Sequence, residues 1–144
     1  MDRIVVGVDG SDGSGRALSW AVDEARRRGD ATVEVVHSWE PPVLTGSPVG
    51  EVPPVPVDAT FDDAAHLLIA DALTHVDTTG VTVRKVVLEG PAGATLCEHA
   101  ADADLLVIAA SGHGKVLEAL IGSVSNYCVH HARCPLVIMP RKRS

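Results

Sequence analysis

Short apolar runs alternate with segments whose apolar residues recur at helical spacing, and this alternation constrains the fold more than any other feature. The runs cover residues 4–8, 32–37, 81–88, 105–109 and 136–139. Three of them are nearly unbroken Val, Ile and Leu, as expected of strands covered on both faces. Between them, Ala17, Leu18, Ala21, Val22 and Ala25 form one helical stripe, and Phe61, Ala65, Leu68, Ala72 and Val76 form a second. Leu96 and Ala100 mark a shorter helix; Ile121, Val124, Cys128 and His131 mark the last. The order β-α-β-α-β-α-β-α-β predicts an α/β fold: an open, doubly wound, five-stranded parallel sheet with helices on both faces.

The 144 residues suit one domain, 1–144, and neither a repeat nor a shift in composition divides it. Aromatic residues are only 3%, so Val, Ala, Leu and Ile must build the core. Prolines at 41, 42, 48, 53, 54 and 56 exclude strand or helix from residues 40–59, which read as a long surface loop.

Charge excludes some partners. The net charge is −7, and no Lys or Arg occurs between Gly29 and Val83, where nine acidic residues fall. A nucleic-acid surface needs a basic stripe, so none is expected to bind. Arg26, Arg27 and Arg28 complement the C-terminal dipole of a helix, and Arg141–Arg143 form a solvated tail. No apolar run is long enough to span a membrane, no signal-peptide pattern opens the chain, and three cysteines are an odd number. A cytoplasmic protein with reduced thiols is expected.

Ligands of doubly wound sheets bind beyond the carboxyl ends of the strands. Two loops there are unusual. The first, after strand one, carries Gly7, Asp9, Gly10, Ser11, Gly13 and Gly15. Its glycines allow close approach of backbone to ligand. Asp9 is placed to accept from a ribose hydroxyl or face a hydrated cation, or else to form the turn and cap the next helix. The second loop runs from Ala109 through Gly112, His113, Gly114 and Lys115 to Gly122 and Ser123, which open the last helix. Backbone N–H groups at a helix N-terminus suit an anion, although Ser123 also reads as a plain N-cap. Together the loops point to a phosphate-bearing ligand. Neither a Walker loop nor a dinucleotide fingerprint is present.

The run Val5-Val6-Gly7-Val8-Asp9-Gly10-Ser11 resembles the universal stress protein family. So do Val36-His37-Ser38-Trp39-Glu40-Pro41, Asp104–Ile108, Gly122-Ser123-Val124-Ser125 and Cys134-Pro135-Leu136-Val137-Ile138. The resemblance implies a Rossmann-like fold of the adenine nucleotide alpha hydrolase type. The ATP-binding branch carries G-x2-G-x9-G-S/T after strand four. Gly112, Gly122 and Ser123 fit it, while Ala109 replaces its first glycine. By resemblance, Asp9 stands on the ribose and metal side, Ser38 lies where backbone meets adenine, and Gly112, Gly122, Ser123 and Val124 cradle phosphates. Gly7, Gly10, Ser11, Ala109, His113, Gly114 and Ser125 complete the implied site. The implied ligand is ATP or another adenine nucleotide, with Mg2+ or Mn2+ carried by the nucleotide rather than by a protein metal site.

Cys128, His130, His131 and Cys134 invite a metal reading, but on a helix His130 points away from Cys128 and His131. Cys97 reads as packing. No residue stands out as a catalytic base, so hydrolysis is expected to be slow at most. A regulatory nucleotide-binding protein in stress response is the leading expectation. A nucleotide-free dimeric interaction module of the same fold is the alternative. The apolar edge strand Leu136–Met139 is expected to pair two copies into a homodimer.

Overall fold

The structure, a computed structural model, describes residues 1–41, 57–110 and 122–140, with backbone alone at 57–59. The elements are β1 (Asp2–Gly7), α1 (Asp12–Arg28), β2 (Ala31–Trp39), α2 (Val57–Thr74), β3 (Thr82–Glu89), α3 (Ala92–His99), β4 (Leu105–Ala109), α4 (Ser123–His131) and β5 (Leu136–Met139). The strands form one parallel sheet in the order β3-β2-β1-β4-β5. Strand order therefore reverses between β1 and β4, and their C-terminal ends open a crevice there.

Alternation along each strand divides the core into two layers. Ile4, Val6, Val33, Val35, Leu105 and Val107 pack under α1, with Ile69 of α2. Val5, Val36, Leu106 and Ile108 face the other way, against Leu96 and Cys97 of α3 and Cys128 of α4. The stripe expected on α1 is its buried face, with Ser14 added. The basic triplet closes α1, where Arg27 and Arg28 pair with Glu24 and Arg28 reaches Asp2.

Some expected boundaries change. The helical segment α2 begins at Val57, so the loop expected over 40–59 does not include its last three residues; residues 42–56 lie outside the described residues. Val76 and Ala100 fall just beyond their helices, and Ile69, absent from the expected stripe, is the fully buried residue of α2. β2 runs on to Trp39, whose ring stacks on Phe61 at 5.7 Å between centroids.

A charged cluster is built in at the N-terminal ends of the strands. Glu34, 5% exposed, accepts from Arg3 Nε at 2.8 Å and lies 3.0 Å from His99 Nε2. The same guanidinium donates to Asp102 and to the His99 carbonyl. A buried carboxylate needs such partners, and here they tie β1, β2 and α3 together.

Candidate functional site

A cavity of about 380 Å³ opens at the C-terminal ends of β1, β2 and β4. Its apolar floor is Val36, Leu96 and Ile108, each 5% exposed or less. Its rim includes Asp9, Ser38, Ala109, Gly122, Ser123 and Val124. The volume lies within the range of small-molecule sites, and the mix of apolar floor and few polar groups is typical of them.

Gly7 lines this cavity, but its lack of a Cβ serves packing: a Cβ there would come 2.9 Å from Leu96 Cδ1. Asp9 Oδ1 accepts from Ser11 N at 2.9 Å and Ser11 Oγ at 2.6 Å. Ser11 is the N-cap of α1 and accepts from Ser14 N. Asp9 therefore orders the turn into α1 as well as facing the cavity. The turn needs Gly10 at φ +85°, a conformation that side chains disfavour. Gly10 and Ser11 face away from the cavity into a neighbouring groove between α1 and α2, although Ser14 touches both.

Ser38 lines the cavity, with its hydroxyl donating 2.7 Å to the Gly90 carbonyl. That bond ties the end of β2 to the turn before α3. His37, adjacent to it, lines the cavity with Nδ1 2.8 Å from the Val8 carbonyl. Since a carbonyl only accepts, Nδ1 carries the proton in this contact.

The N-terminus of α4 forms the remaining wall. Gly122 rather than Ser123 is the N-cap, and it offers no capping side chain to the first-turn N–H groups. Ser123 is exposed in the first turn. Ser125 is 1% exposed, and its hydroxyl donates to the Ala110 carbonyl at 2.8 Å, with the Gly122 carbonyl 3.1 Å away. It is a strut that fixes the helix start against the end of β4. Ala109 closes β4 opposite Met139. Gly112, His113, Gly114 and Lys115 lie outside the described residues.

Among the residues of the metal-like run, Cys128 is buried against Cys97, while His131 stacks on Tyr127 and donates from Nδ1 to its carbonyl. Among the described residues, no group of three or more His, Cys, Asp or Glu side chains is placed to hold a metal ion. No helix among them is long and apolar enough to cross a membrane.

The sequence reading missed Ser14, Ala92, Leu96, Ile108 and Ala110 as cavity residues. Leu96 and Ile108 were legible as core, but nothing in their spacing shows that they meet beneath Gly7.

This crevice lies at the reversal of strand order, where doubly wound sheets hold their ligands. A model of the Universal stress protein family matches residues 1–140, and the chain belongs to that family. It is 34% identical to the universal stress protein Rv2623 of Mycobacterium tuberculosis over 141 residues, covering 94% of this chain and 46% of the relative. The chain thus spans about half the length of the curated relatives it matches. The universal stress protein UspA of Lactobacillus plantarum superposes with a TM-score of 0.73 at 26% identity, covering 96% of this chain and 97% of that one. A universal stress protein in complex with cAMP gives a TM-score of 0.70 at 23% identity, covering 95% of each chain. An Arabidopsis thaliana family member with AMP bound gives 0.65 at 21% identity, covering 99% of this chain and 93% of that one. These last two share the fold, and some structural neighbours of this chain therefore hold an adenine nucleotide.

Proposed function

We propose that this chain is a regulatory stress-response protein that holds ATP or another adenine nucleotide in the crevice between β1 and β4. The observation that carries this reading is the uncapped N-terminus of α4, opening on a cavity whose floor is apolar and whose rim includes Asp9. First-turn N–H groups and the helix dipole attract phosphate, while Val36, Leu96 and Ile108 suit a base. The cAMP and AMP found in two structural neighbours support the same ligand class. In this reading the backbone at Ser38 meets the base, Asp9 takes the ribose side, and Gly122, Ser123 and Val124 receive phosphate, with Gly112 completing the cradle.

Asp9 is the one carboxylate lining the cavity among the described residues, and its Oδ1 already accepts two hydrogen bonds. That donor set fits Mg2+ or Mn2+ only as an ion carried on the phosphates. When bound, such an ion would neutralise phosphate charge beside Asp9. His37 Nδ1 donates to the Val8 carbonyl, and among the described residues the cavity side chains other than His37 and Asp9 carry no basic group. Binding rather than turnover is the role these groups support.

Homodimerisation through β5 belongs to the same reading. Residues 136–139 form an edge of the sheet, and all four are partly exposed. Sedimentation at micromolar concentration tests it: a species of twice 15.0 kDa is expected, and monomer alone overturns it.

Thermal unfolding with ATP, AMP and cAMP, each with and without Mg2+, tests nucleotide binding. A ligand at 100-fold its Kd adds about 2.7 kcal/mol to stability. A rise in melting temperature with at least one nucleotide is expected. No rise with any of them at millimolar concentration would leave the dimeric interaction module in its place.

A further inference from the structure

Directly behind the cavity, its two helical walls touch through a pair of thiols. Cys97 of α3 follows Leu96 in the cavity floor, and Cys128 of α4 lies one turn beyond Val124 in the cavity wall. Their sulfurs are 3.4 Å apart, and both thiols are reduced. A disulfide needs about 2.05 Å, so the two sulfurs would have to close by about 1.4 Å to join α3 to α4. Cys134, partly exposed just before β5, is the third thiol.

We propose that Cys97 and Cys128 are an oxidation site: a peroxide converts them to a disulfide that pins α3 to α4. Cys97 is 7% exposed and Cys128 is 0% exposed, so Cys97 meets the oxidant first during local opening. Its sulfur loses a proton and attacks one oxygen of hydrogen peroxide. An S–O bond forms, the O–O bond breaks, and the other oxygen leaves as water, giving a sulfenic acid. The Cys128 sulfur then attacks Cys97; the S–S bond forms, the S–O bond breaks, and the oxygen leaves with the Cys128 proton as a second water. Two electrons pass from the two sulfurs to the peroxide, whose oxygens end as two waters while the sulfurs end as one disulfide. Burial, then contact with Cys97, pushes the Cys128 thiol up to about 12, so it forms little thiolate and is a poor group for the first step. Contact at 3.4 Å replaces thiolate abundance by proximity. The site is independent of what the cavity holds.

The test uses the full chain, treated with hydrogen peroxide under native conditions, then denatured, alkylated with iodoacetamide and digested for mass spectrometry. The expected product links the Cys97 and Cys128 peptides at two hydrogens below their summed mass, with Cys134 alkylated. A dithiol reductant should restore both free thiols. The linked protein should melt about 5 °C or more above the reduced one, because the cross-link restricts the unfolded chain. The Cys134→Ser protein, which leaves the buried pair intact, should link in equal yield. Recovery of Cys97 and Cys128 as alkylated thiols while Cys134 is oxidised would overturn the proposal. A cross-link that includes Cys134, or that is lost in Cys134→Ser, would overturn it equally.

Discussion

Gly7 and Leu96 meet at the floor of the cavity, where a Cβ on Gly7 would stand 2.9 Å from Leu96 Cδ1. The glycine at the end of β1 is thus fixed by the packing of α3, whatever ligand lies above. Leu96 lines the cavity, which gives its side chain open space to move into. Gly7→Ala should therefore cost about 1–2 kcal/mol in urea unfolding, the range for one extra methyl in a packed core. It should also weaken nucleotide binding, because the displaced leucine fills the floor. Unchanged stability would show that Leu96 has room elsewhere.

At the other end of the strands, Arg3 neutralises the buried Glu34 with Nε at 2.8 Å. Removing the cation strands a carboxylate whose side chain is 7% exposed, with His99 and Arg84 as its remaining partners. Arg3→Met should cost about 3 kcal/mol, the low end for a broken buried pair, because those partners remain. Adding Glu34→Leu should recover at least about 1 kcal/mol, since the uncompensated charge is then gone. Denaturation midpoints of the single and double variants check the sign of this coupling.

Cys128 sets a pH dependence. Burial, reinforced by its contact with Cys97 and by the charge of Cys97 and Cys134, raises its thiol from the ordinary 9.0 to about 12. Above pH 9 the unfolded chain therefore loses this proton while the folded protein keeps it. Ionisation favours the unfolded state, so stability falls as pH rises from about 9 toward 12. Between about pH 8 and pH 10, wild type under reducing conditions should lose about 1 kcal/mol more than Cys128→Val. Parallel losses in the two proteins would mean that the thiol is not shielded.

Asp9 does two jobs that substitution can separate. Its Oδ1 accepts from the Ser11 amide and hydroxyl, and Ser11 caps α1. Asparagine keeps a carbonyl acceptor for that turn, whereas alanine removes it. Asp9→Ala should cost about 1 kcal/mol of stability, and Asp9→Asn less than about 0.5 kcal/mol. If the carboxylate itself serves the nucleotide, Asp9→Asn should still weaken binding in calorimetry. Full affinity in Asp9→Asn would assign Asp9 to the turn alone.

Local signals were legible where one element settles the matter. The α1 stripe follows from its helical period, and the strands β4 and β5 follow from unbroken apolar runs whose residues divide between the two core layers. Ile69 was missed because α2 is apolar around much of its circumference, which blurs its buried face. The Asp9 turn was visible as a possibility, since Asp and Gly form such turns, but the partner was not. Gly122 rather than Ser123 is the N-cap, and the helix start is held instead by the buried Ser125 hydroxyl against the Ala110 carbonyl, a contact that no spacing in the sequence marks. The cavity floor was the least legible part. Val36, Leu96 and Ile108 come from three elements and meet only through the strand order.

Ala109 stands where the ATP-binding motif of the resembled branch has its first glycine, and it lines the cavity at the end of β4. A Cβ at that position narrows the approach of a phosphate to the backbone, and glycine removes it. One surplus methyl in a packed contact costs about 1–3 kcal/mol, which corresponds to roughly five- to 150-fold in affinity. Ala109→Gly should therefore tighten ATP binding within that span. The same change should cost about 0.5–1 kcal/mol of stability, because glycine loosens the strand end that pairs with Met139. The two effects fall on different observables: calorimetric titration of the folded protein reads the first, and urea unfolding without nucleotide reads the second. Equal affinity in both proteins would show that the Ala109 methyl lies clear of the phosphates. Binding in neither would remove the nucleotide from this cavity and leave the edge strand β5 as the functional surface.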